Sequence, residues 1–198
     1  MIKNIVFDLG RVLVDFVPDG YLRSLGFGEA TVQALQEKVF GPYWRFYDRG
    51  DFASITDLRD FLVEKYPEYT AEIHRTLRTD WVRMHTLKPD SAAYLHELKK
   101  RGYRIFILSN LAKESYEFVS GYDFFGEVDG GVFSYQERVI KPDEKIYHIL
   151  LERYALLPEE TLFFDDNAEN IAAAQKLGIH GILFTTLPEA KAQAEKLL

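Results

Sequence analysis

The sequence predicts an α/β protein whose parallel sheet is interrupted early by a helical insertion. Five short apolar runs rich in Ile, Val, Leu and Phe are spread along the chain, and turn-forming or polar residues bound each of them. The runs are IVF before Asp8 and residues 103–110, 130–134, 161–167 and 180–185. Such near-continuous apolar runs are typical of strands buried on both faces. Helix-like segments at 90–102, 112–122, 143–156 and 167–179 alternate with these runs. The alternation predicts a parallel sheet with helices on both faces.

The ends of two core helices carry local signals. Gly102 and Gly178 stand just after helix-like segments, where a C-cap is expected. Asn167 precedes the last core segment, and asparagine is a preferred N-cap residue.

Residues 17–88 break the alternation. They contain no convincing strand, and helical spacing recurs in EATVQALQEKVF, ITDLRDFLVEKY and EIHRTLRTDWVRMH. Prolines at 18, 42, 67 and 89 punctuate the region, as helix starts and breaks do. We therefore predict a helical cap at 17–88, inserted after the first strand, with residues 1–16 and 89–198 forming the α/β core.

Composition excludes several classes of function. The 198 residues carry a net charge of −7, which disfavours nucleic acid as a partner. Cysteine is absent, which excludes disulfides, zinc–thiolate sites and thiol nucleophiles. The N-terminus lacks the apolar stretch of a signal peptide, and no window approaches the apolar length of a membrane span. These features predict a cytoplasmic protein with no membrane partner, and they leave the oligomeric state open.

Polar residues follow the predicted strands where each strand ends. Asp8 ends the first, Ser109 and Asn110 the second, and Asp165 with Asp166 the fourth, while Lys141 stands between the third strand and the next helix. Taken singly, each of these is ordinary turn or cap chemistry. Taken together, they predict a ligand site, because parallel sheets bind ligands beyond the carboxyl ends of their strands.

These residue types indicate phosphate chemistry. Three carboxylates repel one another unless a cation lies between them, and oxygen ligands without imidazole or thiolate favour Mg²⁺. Lys141 and the Ser109 hydroxyl are suited to hold phosphate oxygens, and Asn110 beside Ser109 is a further candidate substrate-binding residue. Asp8 is then placed to attack phosphorus and form an aspartyl-phosphate.

Four motifs in order resemble the haloacid dehalogenase-like hydrolase superfamily. They are FDLGRVL (7–13), ILSN (107–110), KPD (141–143) and FFDDNAEN (163–170). The resemblance implies a Rossmann-like sheet of strand order 5-4-1-2-3 with a small cap lobe. It also implies roles for five residues: Asp8 as nucleophile, Ser109 as phosphate ligand, Lys141 as charge stabiliser, Asp166 as direct metal ligand and Asp165 as a second acid bound directly or through water.

Gly10 departs from the pattern of most phosphatases of this superfamily. They carry a second aspartate there, which acts as general acid and base, whereas Gly10 retains only a backbone carbonyl that can still ligate the metal. The DLGxVL form resembles a subgroup that includes phosphatases acting on anomeric sugar phosphates such as α-glucose-1-phosphate. Which group replaces the acid stays open, with Asp15 one candidate. Arg11 is either a solvated turn residue or an extra phosphate contact.

The cap is expected to supply substrate choice, because specificity usually resides in loops on a rigid scaffold. The turn YDRGDFAS (47–54) is polar and contains glycine, and Arg49 is its candidate substrate-binding residue. Tyr43, Trp44 and Tyr47 either form walls of the substrate site or pack the cap's own core.

These observations predict a Mg²⁺-dependent phosphatase that hydrolyses a small phosphorylated metabolite, a sugar phosphate, through an aspartyl-phosphate. Two alternatives remain. One is a metal-independent 2-haloacid dehalogenase that uses Asp8 to attack carbon. The other is a non-catalytic regulatory protein that binds a phosphate ligand.

Overall fold

The computed structural model describes residues 1–198. Its strands are β1 (Asn4–Phe7), β2 (Val14–Phe16), β3 (His85–Leu87), β4 (Arg104–Ser109), β5 (Gly130–Phe133), β6 (Thr161–Asp165) and β7 (His180–Leu183). Its helices are α1 (Pro18–Ser24), α2 (Glu29–Lys38), α3 (Trp44–Asp48), α4 (Ile55–Lys65), α5 (Thr70–Thr76), α6 (Pro89–Lys100), α7 (Lys113–Val119), α8 (Ser134–Glu137), α9 (Glu144–Tyr154), α10 (Ala168–Lys176) and α11 (Leu187–Ala194). None of the helices has the length and apolarity needed to cross a bilayer.

Five strands form one parallel sheet in the order β5-β4-β1-β6-β7. When only these five strands are numbered in chain order and the sheet is read from its β7 edge, the order is 5-4-1-2-3. The predicted strand order is confirmed. Strand β1 lies at the centre, with Ile5 opposite Ile105 on one side and Leu162 on the other. Asp8, the residue after β1, therefore stands at the middle of the sheet's C-terminal edge.

The sheet is buried on both faces because successive side chains of a strand point in opposite directions. Ile5 and Phe7 belong to one hydrophobic cluster, and Val6 between them belongs to the cluster on the opposite face. Phe106 and Ile107 of β4 divide in the same way. Apolar residues at consecutive positions are thus needed, which is why the strands are readable as continuous apolar runs.

Helices α1 to α5 pack around a third hydrophobic cluster. Trp44, Trp81 and Leu58 lie in it, and Ala112 from the loop after β4 joins it. Helices α1 to α5 therefore share a hydrophobic core of their own, and Ala112 connects this core to the parallel-sheet region.

A short strand within 17–88 corrects the expectation that this region holds none. Strand β3 pairs antiparallel with β2, so that Val14 lies opposite Leu87 and Phe16 opposite His85. Three residues are too few to show strand periodicity. The two paired strands also lie at opposite ends of the insertion, so sequence alone does not show that they pair. The two-stranded sheet brings together the chain entering and the chain leaving the helical segment.

The predicted helix ends are confirmed. The Asn167 side chain accepts a hydrogen bond from the backbone N–H of Glu169 at 2.8 Å. Gly102 and Gly178 have φ of 93° and 85°, the left-handed conformation that ends many helices.

Candidate active site

Asp8 lies buried at the centre of the sheet edge. Its Oδ1 accepts a hydrogen bond from the backbone N–H of Leu9 at 2.7 Å and lies 2.9 Å from the Lys141 ammonium nitrogen. Burial raises the pKa of Asp8 to about 6, although the Lys141 charge and a hydrogen bond from Ser109 both favour the anion. The carboxyl is therefore mainly ionised at neutral pH while it remains poorly solvated.

The Lys141 ammonium group is enclosed by oxygen acceptors. Its Nζ donates to Asp165 Oδ2 at 2.6 Å and to the Leu108 carbonyl at 2.9 Å, and it pairs with Asp8. Burial alone lowers the pKa of Lys141, but the carboxylates of Asp165 and Asp8 outweigh that effect and raise it. Lys141 is therefore a fixed positive charge beside the Asp8 carboxylate.

Asp165 is fully buried, and both of its oxygens are engaged by the protein. Besides Lys141, the Asn170 side-chain amide donates to both oxygens at 3.0 Å, and the Asn167 backbone N–H donates to Oδ1 at 2.8 Å. This arrangement orients the carboxylate towards Lys141 and holds the ammonium group in place.

Asp166 is more exposed and accepts no such set of hydrogen bonds. Oxygen atoms of Asp8, Asp165 and Asp166 lie within 4.8 Å of one another. Partial burial raises the pKa of Asp166, and the neighbouring Asp165 charge adds to the rise.

The Gly10 carbonyl, next to this acid cluster, accepts no hydrogen bond from the protein. Clustered oxygen ligands with unused coordination capacity fit a hard divalent cation such as Mg²⁺.

Arg11 is placed by the turn that follows Asp8. Its φ is 57°, a conformation that favours glycine, and its backbone N–H donates to the Val14 carbonyl at 2.7 Å. Its guanidinium lies 3.5 Å from Asp166, and Lys88 Nζ donates to its carbonyl at 2.8 Å. Arg11 is thus a charge beside the acidic cluster, an arrangement that local sequence does not reveal.

Asn110 is engaged by the backbone of Lys141. Its Oδ1 accepts from the Lys141 N–H at 2.8 Å, and its Nδ2 donates to the Lys141 carbonyl at 3.0 Å. These two bonds connect the loop after β4 to the Lys141 segment, so that Ser109 and Lys141 both lie next to Asp8.

Arg49 is not brought to this cluster. Its guanidinium forms an ion pair with Asp51 and lies 5.1 Å from the Phe46 ring centre. The preceding residue, Asp48, lines a cavity together with Gly10 and Asn110. Sequence patterns pointed to this turn but not to Asp48, because which side of a turn faces a neighbouring lobe depends on how the lobes dock.

Two cavities adjoin the cluster. The smaller, of about 120 Å³, is mostly apolar and is lined by Leu9, Gly10, Val14, Phe16, Trp44, Asp48, His85, Asn110, Leu111 and Val119. The larger is a groove of about 750 Å³ whose polar lining includes Arg11, Asp15, Gln36, Lys88 and Asp166. Trp44 thus serves both proposed roles, since it lines the smaller cavity and packs in the cluster of α1 to α5.

Comparison with known proteins places the chain in a family. The sequence model of the haloacid dehalogenase-like hydrolases matches residues 2–178. The chain belongs to this family. As a haloacid dehalogenase-like hydrolase it carries all four motifs, and the matched span includes Asp8, Ser109, Lys141 and the acid pair.

Relatives within these hydrolases differ in what they act on. The sesquiterpene phosphatase astK of Aspergillus oryzae is 26% identical over 92% of this chain and 90% of its own length. The D-ribitol-5-phosphate phosphatase of Bacteroides thetaiotaomicron is 25% identical over 90% of this chain and 89% of its own. The (S)-2-haloacid dehalogenase 4A of Burkholderia cepacia is 30% identical over 91% of this chain and 82% of its own.

A solved haloacid dehalogenase-family enzyme from Bacteroides thetaiotaomicron, in complex with magnesium and inorganic phosphate, has the same fold. It superposes with a TM-score of 0.71 over 92% of this chain and 93% of its own, at 22% sequence identity.

Proposed function

We propose that this hydrolase is a Mg²⁺-dependent phosphatase acting on a small phosphorylated metabolite, a sugar phosphate, through an aspartyl-phosphate on Asp8. The observation that carries the proposal is the gathering of Asp8, Lys141 and the Asp165–Asp166 pair at one sheet edge. Carboxylate oxygens of the three aspartates lie within 4.8 Å of one another, and the Lys141 ammonium contacts Asp8 and Asp165. Ser109 completes the set. A nucleophile, a fixed cation and a cation-binding acid cluster are the parts that phosphoryl transfer needs.

The residues of this chain have separable parts in the proposed reaction. The Asp8 carboxylate attacks phosphorus and displaces the ester oxygen. The Lys141 ammonium offsets the charge gathered around Asp8, and the Ser109 hydroxyl donates to a phosphate oxygen. A Mg²⁺ ion held by Asp8, the Gly10 carbonyl and Asp166, with Asp165 behind them, would reduce the repulsion between nucleophile and phosphate.

The choice of a sugar or polyol phosphate rests on the larger groove and on one relative. Carboxylate, amide and ammonium groups of Asp15, Gln36 and Lys88 line the groove and can hydrogen-bond hydroxyls. The relative is the D-ribitol-5-phosphate phosphatase.

A second candidate is a 2-haloacid dehalogenase. The mostly apolar cavity of about 120 Å³ that Gly10 lines would suit a short alkyl chain, and a dehalogenase is 30% identical to this chain. The partly exposed Asp166 weighs against it, because an additional carboxylate beside the nucleophile would repel a carboxylate substrate unless a cation is bound.

A substrate panel separates the two candidates. We expect phosphate release from one or more pentitol, pentose or hexose phosphates with Mg²⁺, and its loss in excess EDTA. We expect no chloride from (S)-2-chloropropionate under either condition. Chloride release that persists in EDTA, with no phosphate released from any ester, would overturn the phosphatase proposal.

Arg11 provides a test of the metal site. Its guanidinium lies 3.5 Å from Asp166 and opposes cation binding there. An exposed pair of this kind contributes on the order of 1 kcal/mol, so we expect Arg11→Ala to lower the Mg²⁺ concentration for half-maximal activity about fivefold. Arg11→Lys is the charge-preserving control. An unchanged Mg²⁺ requirement with a raised KM would instead make Arg11 a substrate contact.

A further inference from the structure

Position 10 has room for a side chain that the protein does not provide. A Cβ placed on Gly10 would have only Asp8 Oδ2 within 4 Å, at 3.9 Å. The open space beside Gly10 is part of the smaller cavity. A side chain from elsewhere in the chain can therefore reach the region that an acid at position 10 would occupy.

Asp48, at the end of α3, lines that same cavity and contributes its only carboxyl group. Two other polar side chains of the lining already form hydrogen bonds within the protein. Asn110 bonds the backbone of Lys141, and His85 Nδ1 donates to the Val82 carbonyl at 2.9 Å. Since burial lowers the pKa of His85, its imidazole is neutral and its Nε2 can only accept a proton.

The backbone of Asp48 is fixed to the parallel-sheet core. The Ser134 hydroxyl donates to the Asp48 carbonyl at 2.5 Å and accepts from the Leu111 N–H at 2.8 Å. On either side of Asp48, the Tyr47 hydroxyl bonds Glu114, and Arg138 donates to the Gly50 carbonyl. The carboxyl of Asp48 is therefore presented from a turn anchored at both ends.

Gly50 allows this close approach. Its φ is 81°, and a Cβ there would lie 2.8 Å from the Tyr135 carbonyl oxygen. Any larger residue would clash with the core backbone and lift the turn that carries Asp48 away from the cavity.

The protonation state of Asp48 suits proton donation. Burial raises its pKa well above the ordinary value, the Ala112 backbone amide opposes the rise, and the Asp8 charge adds to it. The titratable groups that face it are Asp8 at the end of β1 and His85 on β3. A carboxyl in this setting keeps its proton to a higher pH than an exposed aspartate does.

We propose that Asp48 is the general acid and base of the reaction and supplies the function that Gly10 lacks. This inference rests on the proposed phosphatase activity. In the first half-reaction the Asp8 carboxylate bonds to phosphorus, the bond from phosphorus to the ester oxygen breaks, and that oxygen takes the Asp48 proton to leave as an alcohol. In the second, water attacks the aspartyl-phosphate and gives a proton to the Asp48 carboxylate, which releases inorganic phosphate and restores both side chains.

The test uses Asp48→Asn with two substrates of different leaving group. Turnover of the best alkyl phosphate ester should fall about 10²–10⁴-fold, the usual contribution of general acid–base catalysis. With p-nitrophenyl phosphate the first turnover needs no acid, because the leaving phenolate is stable. We therefore expect a burst of one p-nitrophenolate per enzyme at close to the wild-type rate, followed by slow turnover.

Two further variants make the result decisive. Gly10→Asp, added to Asp48→Asn, should restore alkyl-ester turnover at least tenfold over the single variant. Asp51→Asn, three residues away in the same turn, should behave as wild type in both assays. Equal loss of the first turnover on both esters, or full activity of Asp48→Asn, would overturn the assignment. A wild type that hydrolyses no phosphate ester would instead overturn the proposed function on which it rests.

Discussion

Asp8→Asn is expected to lower phosphate release by on the order of 10⁴-fold or more, because an amide cannot act as the nucleophile that forms the aspartyl-phosphate. The variant should remain folded, since asparagine has the same shape and its carbonyl can still accept from the Leu9 N–H. The measurement is kcat with the best substrate from the panel, together with a circular dichroism spectrum to verify folding.

Asp60→Asn is the matched control for this variant. Asp60 lies on α4, lines neither cavity, and its exposed carboxylate pairs with Arg59 at 3.1 Å. We expect its kcat to stay within a few-fold of wild type. An Asp8→Asn enzyme that keeps a tenth or more of the wild-type kcat would contradict the role of Asp8.

Lys141→Met is expected to destabilise the fold as well as remove activity. It would leave the buried carboxylates of Asp8 and Asp165 without their cation. Removing one partner of a buried ion pair costs about 3–5 kcal/mol of the free energy of unfolding. Denaturant unfolding at pH 8 measures that loss. Lys191→Met is the control, because the exposed pair of Lys191 with Glu97 should contribute about 1 kcal/mol or less.

The pH dependence of the Lys141→Met loss has a definite sign. Burial already raises the pKa of Asp8 to about 6, and removing the ammonium raises it further. A carboxyl whose pKa is raised in the folded state favours folding most at low pH, and that contribution is lost as pH rises towards the folded-state pKa. The destabilisation should therefore be smaller at pH 5 than at pH 8. The pairing of Lys141 with the buried carboxylates would be contradicted if Lys141→Met lost the same free energy of unfolding at both pH values, and no more than Lys191→Met loses.

Much of the fold and of the acid cluster was readable from sequence, for a physical reason. Strands buried on both faces must be apolar at consecutive positions, so the β1, β4 and β6 runs stand out. Parallel strands end at one edge, which predicts that Asp8, Ser109 and Asp166 lie close together.

The features that sequence did not reveal depend on contacts between distant segments. Strand β3 is defined by its pairing with β2, and Asp48 reaches the site only because the Gly50 turn docks against the core. Arg11 is explained by its position next to Asp166, which is 155 residues away along the chain. No local pattern encodes these neighbours.

In the proposed reaction Asp8 carries the phosphoryl group during turnover. The most direct measurement is an acid quench of the Asp48→Asn enzyme with p-nitrophenyl phosphate during slow turnover, followed by peptide mass spectrometry. We expect one phosphoryl group per chain, located on Asp8 and removed by hydroxylamine. Phosphate release with no covalent adduct, or an adduct on another residue, would contradict it.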